Sequence, residues 1–157
     1  MAKVRFCNSK NNNAMEETRF ETRKDKIREE DTLDVLCKHK GLTFEMANEM
    51  NPVDAVLYKD NKVAAYAEVK TYKQTFARAK EYIFISIKKL ASLQQVSLSN
   101  NVPSCMVYRF NDCIGYYFIS EIDGAACGWD GRRKRDGSVY DEELVVHVPK
   151  TLLKIIK

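Results

Sequence analysis

The chain has 157 residues, enough for one domain with a substantial core and too few for two. Hydrophobic residues at 45% and charged residues at 31% are ordinary globular values, and the net charge of +4 is mild. Five scattered cysteines without a Cys-x-x-Cys pair, beside only His39 and His147, exclude the usual structural zinc sites. The N-terminus lacks the apolar core of a signal peptide. The longest strongly apolar stretch, Tyr82 to Ile87, is too short to span a membrane. Reduced thiols and a cytoplasmic setting with no membrane partner are the expectation.

Residues 1–24 are polar and without clear period, a loosely ordered arm with a short strand at Val4–Phe6. Residues 25–157 read as one domain. Lys26 to Lys40 forms a helix with Leu33, Leu36 and Cys37 as its apolar stripe, and Gly41 stops it. Leu42 to Met46 reads as a short strand. Residues 53–58 and 62–72 make a hairpin around Asp60-Asn61. Ser86 caps a helix that runs to about Ser99, with Ile87, Leu90, Ala91 and Leu93 facing the core. Cys105 to Phe110 and Cys113 to Ile119 alternate like paired strands. Residues 121–138 read as a glycine-rich, charged loop, Leu144 to Val148 as a last strand, and Thr151 to Ile156 as a short terminal helix. This order predicts an α/β fold, a mixed sheet with helices on its faces.

Three residues of the hairpin are out of place for packing alone. Asp54 sits at the start of the first apolar run, and Glu68 and Lys70 interrupt the second. Strand residues i and i+2 share a face about 6–7 Å apart, so Glu68 and Lys70 project together. Two carboxylates and an ammonium at one end of a hairpin suit a hard divalent cation and an attacking water. The register decides whether the acids meet. A plain two-residue turn at Asp60-Asn61 pairs Asp54 with Ala67 and sends Glu68 to the other face. Only a longer loop or a bulge pairs Asp54 with Glu68.

Helix, then Pro52-Val53-Asp54, then Glu68-Val69-Lys70 resembles the PD-(D/E)XK nuclease superfamily, with thirteen residues between the two acids. The likeness covers roughly residues 26–120, and Val53 departs from it by standing between Pro52 and Asp54. The resemblance implies a restriction-endonuclease-like sandwich: a central mixed β-sheet flanked by helices, with an αβββαβ core. It implies Mg²⁺ (or Mn²⁺) held by Asp54 and Glu68, Lys70 beside the water or the phosphate, and a further ligand from Glu29 or Glu30. It also points to polar residues at the start of the second helix, where Ser86, Lys89 and Gln94 are candidates for nucleic-acid contact. Ser86 and Lys89 also have the spacing of a nucleophilic pair, but a helix cap accounts for Ser86 more simply. Lys73 and the block Arg132, Arg133, Lys134 and Arg135 suit the nucleic-acid backbone, as they would any polyanion.

The expected function is a Mg²⁺-dependent DNA nuclease with structure- or end-directed cutting, RNA not being excluded. Two alternatives stand beside it: a homodimeric endonuclease of the Holliday-junction-resolvase type, and a non-catalytic nucleic-acid-binding module of the same fold.

Overall fold

A computed structural model describes residues 23–122, 126–133 and 139–157, with side chains at 23–122 and 143–157. Helix α1 (Arg23–Lys40) ends where Gly41 takes φ +66°, a conformation that carries little cost without a Cβ. The chain then forms β1 (Thr43–Met46), β2 (Ala55–Lys59), β3 (Lys62–Thr71) and β4 (Tyr82–Ser86). Helix α2 (Ile87–Asn100) follows directly, and the Ser86 hydroxyl accepts the Lys89 amide at 3.2 Å as its N-cap. After it come β5 (Ser104–Arg109), β6 (Ile114–Phe118), β7 (Ala126–Arg133), β8 (Val139–Pro149) and β9 (Lys154–Ile156).

Six strands form the main sheet in the order β1-β2-β3-β5-β6-β9, with β3 and β5 parallel and the other pairs antiparallel. A parallel pair needs a long crossover, here the segment through β4 and α2. Strand β5 is buried on both faces. Cys105 and Val107 pack with Leu33, Leu36 and Cys37 of α1, while Met106 and Tyr108 pack with Leu93 of α2. The second face is also covered by a three-stranded sheet, β4-β8-β7, through Ile83, Ile85, Val146 and Val148. The layers are therefore α1, the main sheet, and α2 with the small sheet.

The expected αβββαβ core is present, and three expectations elsewhere are corrected. Part of the segment read as the 121–138 loop is strand β7, paired to β8. Ala91, expected among the core positions of α2, is exposed, while the central mixed sheet is as expected, with a second three-stranded sheet added to it. Thr151 to Ile156 is a 3-10 turn at Lys150–Leu152 followed by strand β9, not a helix. Gly115 lets β9 come close: a Cβ there would lie 3.1 Å from Ile155 Cδ1 and 3.2 Å from Leu153 Cβ. Residues 1–22 of the arm, with the Val4–Phe6 strand, and Lys134 and Arg135 lie outside the described residues, while Arg23 and Lys24 belong to α1.

The β2–β3 hairpin has the tight two-residue turn, and with it the bulge that such a turn makes necessary if Asp54 is to meet Glu68. Its turn is the tight pair Asp60 (φ 50°) and Asn61 (φ 61°), so both central residues are left-handed as in the hairpin turns that match strand twist. The pairs Lys59–Lys62 and Tyr58–Val63 are followed by Leu57–Ala65, so Ala64 is an extra residue in a bulge. Pairing continues as Val56–Tyr66 and ends at Ala55–Ala67; Asp54 follows just outside the strand, its amide on the Ala67 carbonyl and its carboxylate beside that of Glu68. Asn61→Val should cost about 1–2 kcal/mol in urea unfolding, because a β-branched residue resists positive φ. An unchanged midpoint would mean that the turn does not hold the hairpin.

Candidate active site

Asp54 is fixed by its backbone before its side chain is considered. Its amide donates to the Ala67 carbonyl at 3.0 Å, and its carbonyl accepts the Ala47 amide at 2.8 Å. Its carboxylate oxygen Oδ2 accepts the Val69 amide at 2.7 Å, the β3 donor that has no strand partner once β2 has ended. Glu68 sits opposite with its side chain only 15% exposed, and its Oε2 is buried with no hydrogen-bond partner among the described residues. Ala67 and Val69 on either side of it point into the α1 layer. The side-chain period of two therefore sends Glu68 and Lys70 to the α2 layer.

The cation in direct contact with Glu68 is Lys89, from the first turn of α2. Its Nζ lies 2.9 Å from Glu68 Oε1 and 3.3 Å from the Pro52 carbonyl oxygen. Lys70, half-buried on the same face, has its Nζ 4.1 Å from the centre of the Phe84 ring and 5.8 Å from that of Tyr72. Behind them Tyr72, Tyr108 and Tyr117 stack, and the two buried hydroxyls of Tyr108 and Tyr117 satisfy each other at 3.1 Å.

Asp54 opens onto a groove of about 400 Å³ between the start of α1 and the β1–β2 connection, lined also by Lys26, Glu29, Glu30 and Glu49. Glu29 is half-buried and Glu30 exposed. The chemistry of this donor set fits a hard divalent cation: two carboxylates and a backbone carbonyl converge, and one buried carboxylate oxygen lacks a hydrogen bond. Among the described residues, however, no three His, Cys, Asp or Glu side chains form a preformed cluster. Glu29 and Glu30 border the acid pair rather than complete it.

A second groove, about 270 Å³, lies where β3 and β5 end side by side. It is lined by Lys73, Arg28, Arg109, Asp31 and Tyr72 among others. Lys73 was legible in the sequence as a candidate; Arg28 and Arg109 were not. Arg109 joins this groove only through its parallel register with Thr71, which no local pattern announces. Ser86 is the helix cap. Gln94 is placed away from the acids, on a groove with Leu98, Val102 and Pro103. Arg132 and Arg133 belong to β7, but their side chains lie outside the described residues.

Burial raises the Glu68 carboxyl to about 7, the Asp54 charge adds to the rise, and the Lys89 ion pair pulls it partly back. The folded chain thus holds this proton between about pH 4.5 and 7, where the unfolded chain has released it. The associated stability is complete below the unfolded value and is lost as pH rises through about 7. Without divalent ions, Glu68→Gln should therefore gain on the wild type as pH rises, by on the order of 2–3 kcal/mol between about pH 5 and pH 8. Thermal melts at both pH values check this, and an equal effect at the two would contradict it.

Comparison with known proteins shows the family and the fold. A family model described as "Phage putative PDDEXK endonuclease" matches residues 15–156. Among solved structures, Hjc, a Holliday junction resolvase from Archaeoglobus fulgidus, is similar with a TM-score of 0.53. The likeness covers 80% of this chain and 84% of that one at 10% identity, a likeness of fold. No curated protein matches the sequence. Among the described residues no helix is long and apolar enough to cross a membrane. Since the family model spans nearly the whole chain, the protein belongs to the phage PDDEXK endonuclease family, with the restriction-endonuclease-like fold.

Proposed function

We propose that this protein is a Mg²⁺- or Mn²⁺-dependent DNA nuclease that hydrolyses phosphodiester bonds at the Asp54–Glu68 pair. The observation that carries the reading is the meeting of two acids, one of them buried, across a hairpin whose bulge is what brings them together. Such an arrangement is unfavourable for folding and favourable for holding a cation. The carboxylates of Asp54 and Glu68 would hold the divalent ion, with Glu29, more buried than Glu30, as an auxiliary acid. A divalent ion there supplies a Lewis acid that polarises a phosphate oxygen and acidifies a water. Lys70, two residues beyond Glu68 on the same face, offsets charge that builds on the phosphate or orients the water. The Val69 amide keeps the Asp54 carboxylate in place through the reaction. Among the described residues few loops remain for reading bases, which favours cutting directed by DNA structure or ends.

The test is cleavage of supercoiled, linear, single-stranded and four-way-junction DNA with Mn²⁺ or Mg²⁺. The junction is included because the fold is shared with a resolvase; symmetric junction cutting by this chain would require a homodimer with two sites. Lys70→Ala should lower cleavage by about 10²-fold or more, and should lower stability by no more than about 1 kcal/mol. Equal cleavage by wild type and mutant would remove Lys70 from the chemistry. Metal-free binding with no cleavage of any substrate would favour a non-catalytic binding module.

The basic groove provides a separate prediction. Arg28, Lys73 and Arg109 surround one acid, Asp31, so this groove favours phosphate where the acidic one does not. With EDTA present, Arg28→Ala with Lys73→Ala should flatten the plot of log affinity against log salt. The expected loss is about 0.7–0.9 in slope for each phosphate contact removed. An unchanged slope would place the DNA backbone elsewhere.

A further inference from the structure

Lys89 does something that its place on the helix does not require. The N-cap of α2 is complete with the Ser86 hydroxyl and the Lys89 amide, so the lysine side chain is not needed for the helix start. Instead its ammonium reaches across to β3 and to the segment before Asp54, touching Glu68 Oε1 at 2.9 Å and the Pro52 carbonyl oxygen at 3.3 Å. One carboxylate oxygen and one backbone carbonyl oxygen are donors of the kind a hard divalent cation takes, at about 2.0–2.6 Å. The ammonium is a compact cation with no acceptor of its own, and here it sits among those donors.

Lys89 holds Glu68 Oε1 and the Pro52 carbonyl oxygen, so a divalent ion on the open Oε2 meets the ammonium across the same carboxylate. A divalent ion bound to Glu68 would lie within a few ångströms of the Lys89 ammonium, with twice the repulsion between two unit charges. The lysine has somewhere to go. Its side chain is 37% exposed against 15% for Glu68, so it approaches from the solvent side on a flexible stem. Glu68 is buried in the strand and stays.

We propose that Lys89 is a built-in counter-cation of the acid site, holding the place of the divalent ion and withdrawing when the ion binds. The inference rests on the reading of Asp54 and Glu68 as metal ligands and adds a determinant of their affinity. Lys89 occupies Glu68 Oε1 while no metal is present, and by its charge at that carboxylate it weakens metal binding. The same contact ties the start of α2 to Pro52, so arrival of the ion frees that helix end from the segment bearing Asp54.

The experiment is calorimetric titration of Mn²⁺ into wild type, Lys89→Met, Lys89→Gln and Glu68→Gln, with melting temperatures taken with and without Mn²⁺. Lys89→Met should bind Mn²⁺ about tenfold more tightly than wild type or better, and should gain more in melting temperature from the ion. Lys89→Gln retains a hydrogen-bond donor without the charge, and it should also bind more tightly. It serves as the second variant if the methionine chain does not fold. Glu68→Gln should lose binding. Unchanged or weaker Mn²⁺ binding in both Lys89 variants would overturn the proposal and make Lys89 a prop that orients Glu68. Absence of Mn²⁺ binding in the wild type and all variants would overturn the metal site as well. Tight binding without DNA cleavage would sink the nuclease reading and leave the role of Lys89 standing.

Discussion

The register of one hairpin controls what this chain can do. Strand side chains alternate with a period of two, so a shift of one residue moves a whole strand's set to the other face. Without Ala64 as an extra residue beyond a tight turn, Asp54 would pair with Ala67, and Glu68 would point toward α1. The bulge sets Asp54 across from Glu68 and is held by packing on both sides of β3. Ala65, Ala67 and Val69 fill the α1 layer with Leu33 and Leu36, while Tyr66 packs into the layer of α2. A slip back to the regular register would push Glu68 into an apolar layer and lift the alanines and Val69 out of it. The hydrophobic core therefore selects the register that assembles the acids.

That selection leaves an electrostatic problem at the site. Glu68 is buried next to another acid, and one of its oxygens has no hydrogen bond among the described residues. Burial of unmatched charge opposes folding, and proteins retain it where it serves a purpose. The surroundings offset it in three ways: the Val69 amide binds Asp54, the Lys89 ammonium binds Glu68, and the Glu68 carboxyl rises to about 7. None of these removes the acids' common demand for positive charge. The basic groove at the ends of β3 and β5 lies close by in the fold, at Thr71–Lys73 of the chain that carries Lys70, so anionic and cationic surfaces follow each other along one strand.

Much of this was legible in the sequence where the cause is local. Helix α1 was visible from the stripe Leu33, Leu36 and Cys37 and the stop at Gly41. Helix α2 was visible from Ser86, which caps it as expected. The pairing of Asp54 with Glu68 was legible as a condition: two residues in the turn required a bulge, and the bulge is there. Strand β7 was hidden by glycines and charges that resemble a loop, and it is a strand through its pairing with β8. Strand β9 was mistaken for a helix because a short apolar segment has no length in which its period could show. Arg28 and Arg109 carried no local signal at all, since their meeting depends on α1 packing beside two parallel strand ends.

The sequence by itself determined helices α1 and α2, the β2–β3 hairpin, and the face that Glu68 shares with Lys70. These follow from side-chain type and from periods of two and 3.6 residues, which act over short stretches of chain. Only the tertiary structure decided that a second sheet covers the far face, that Gln94 lies away from the acids, and that Lys89 is the cation on Glu68. Lys89 is twenty-one residues from Glu68 and thirty-seven from Pro52, and their contact exists because α2 packs back over the main sheet. Distances of that kind are set by how layers bury their apolar faces against one another, which no local pattern encodes.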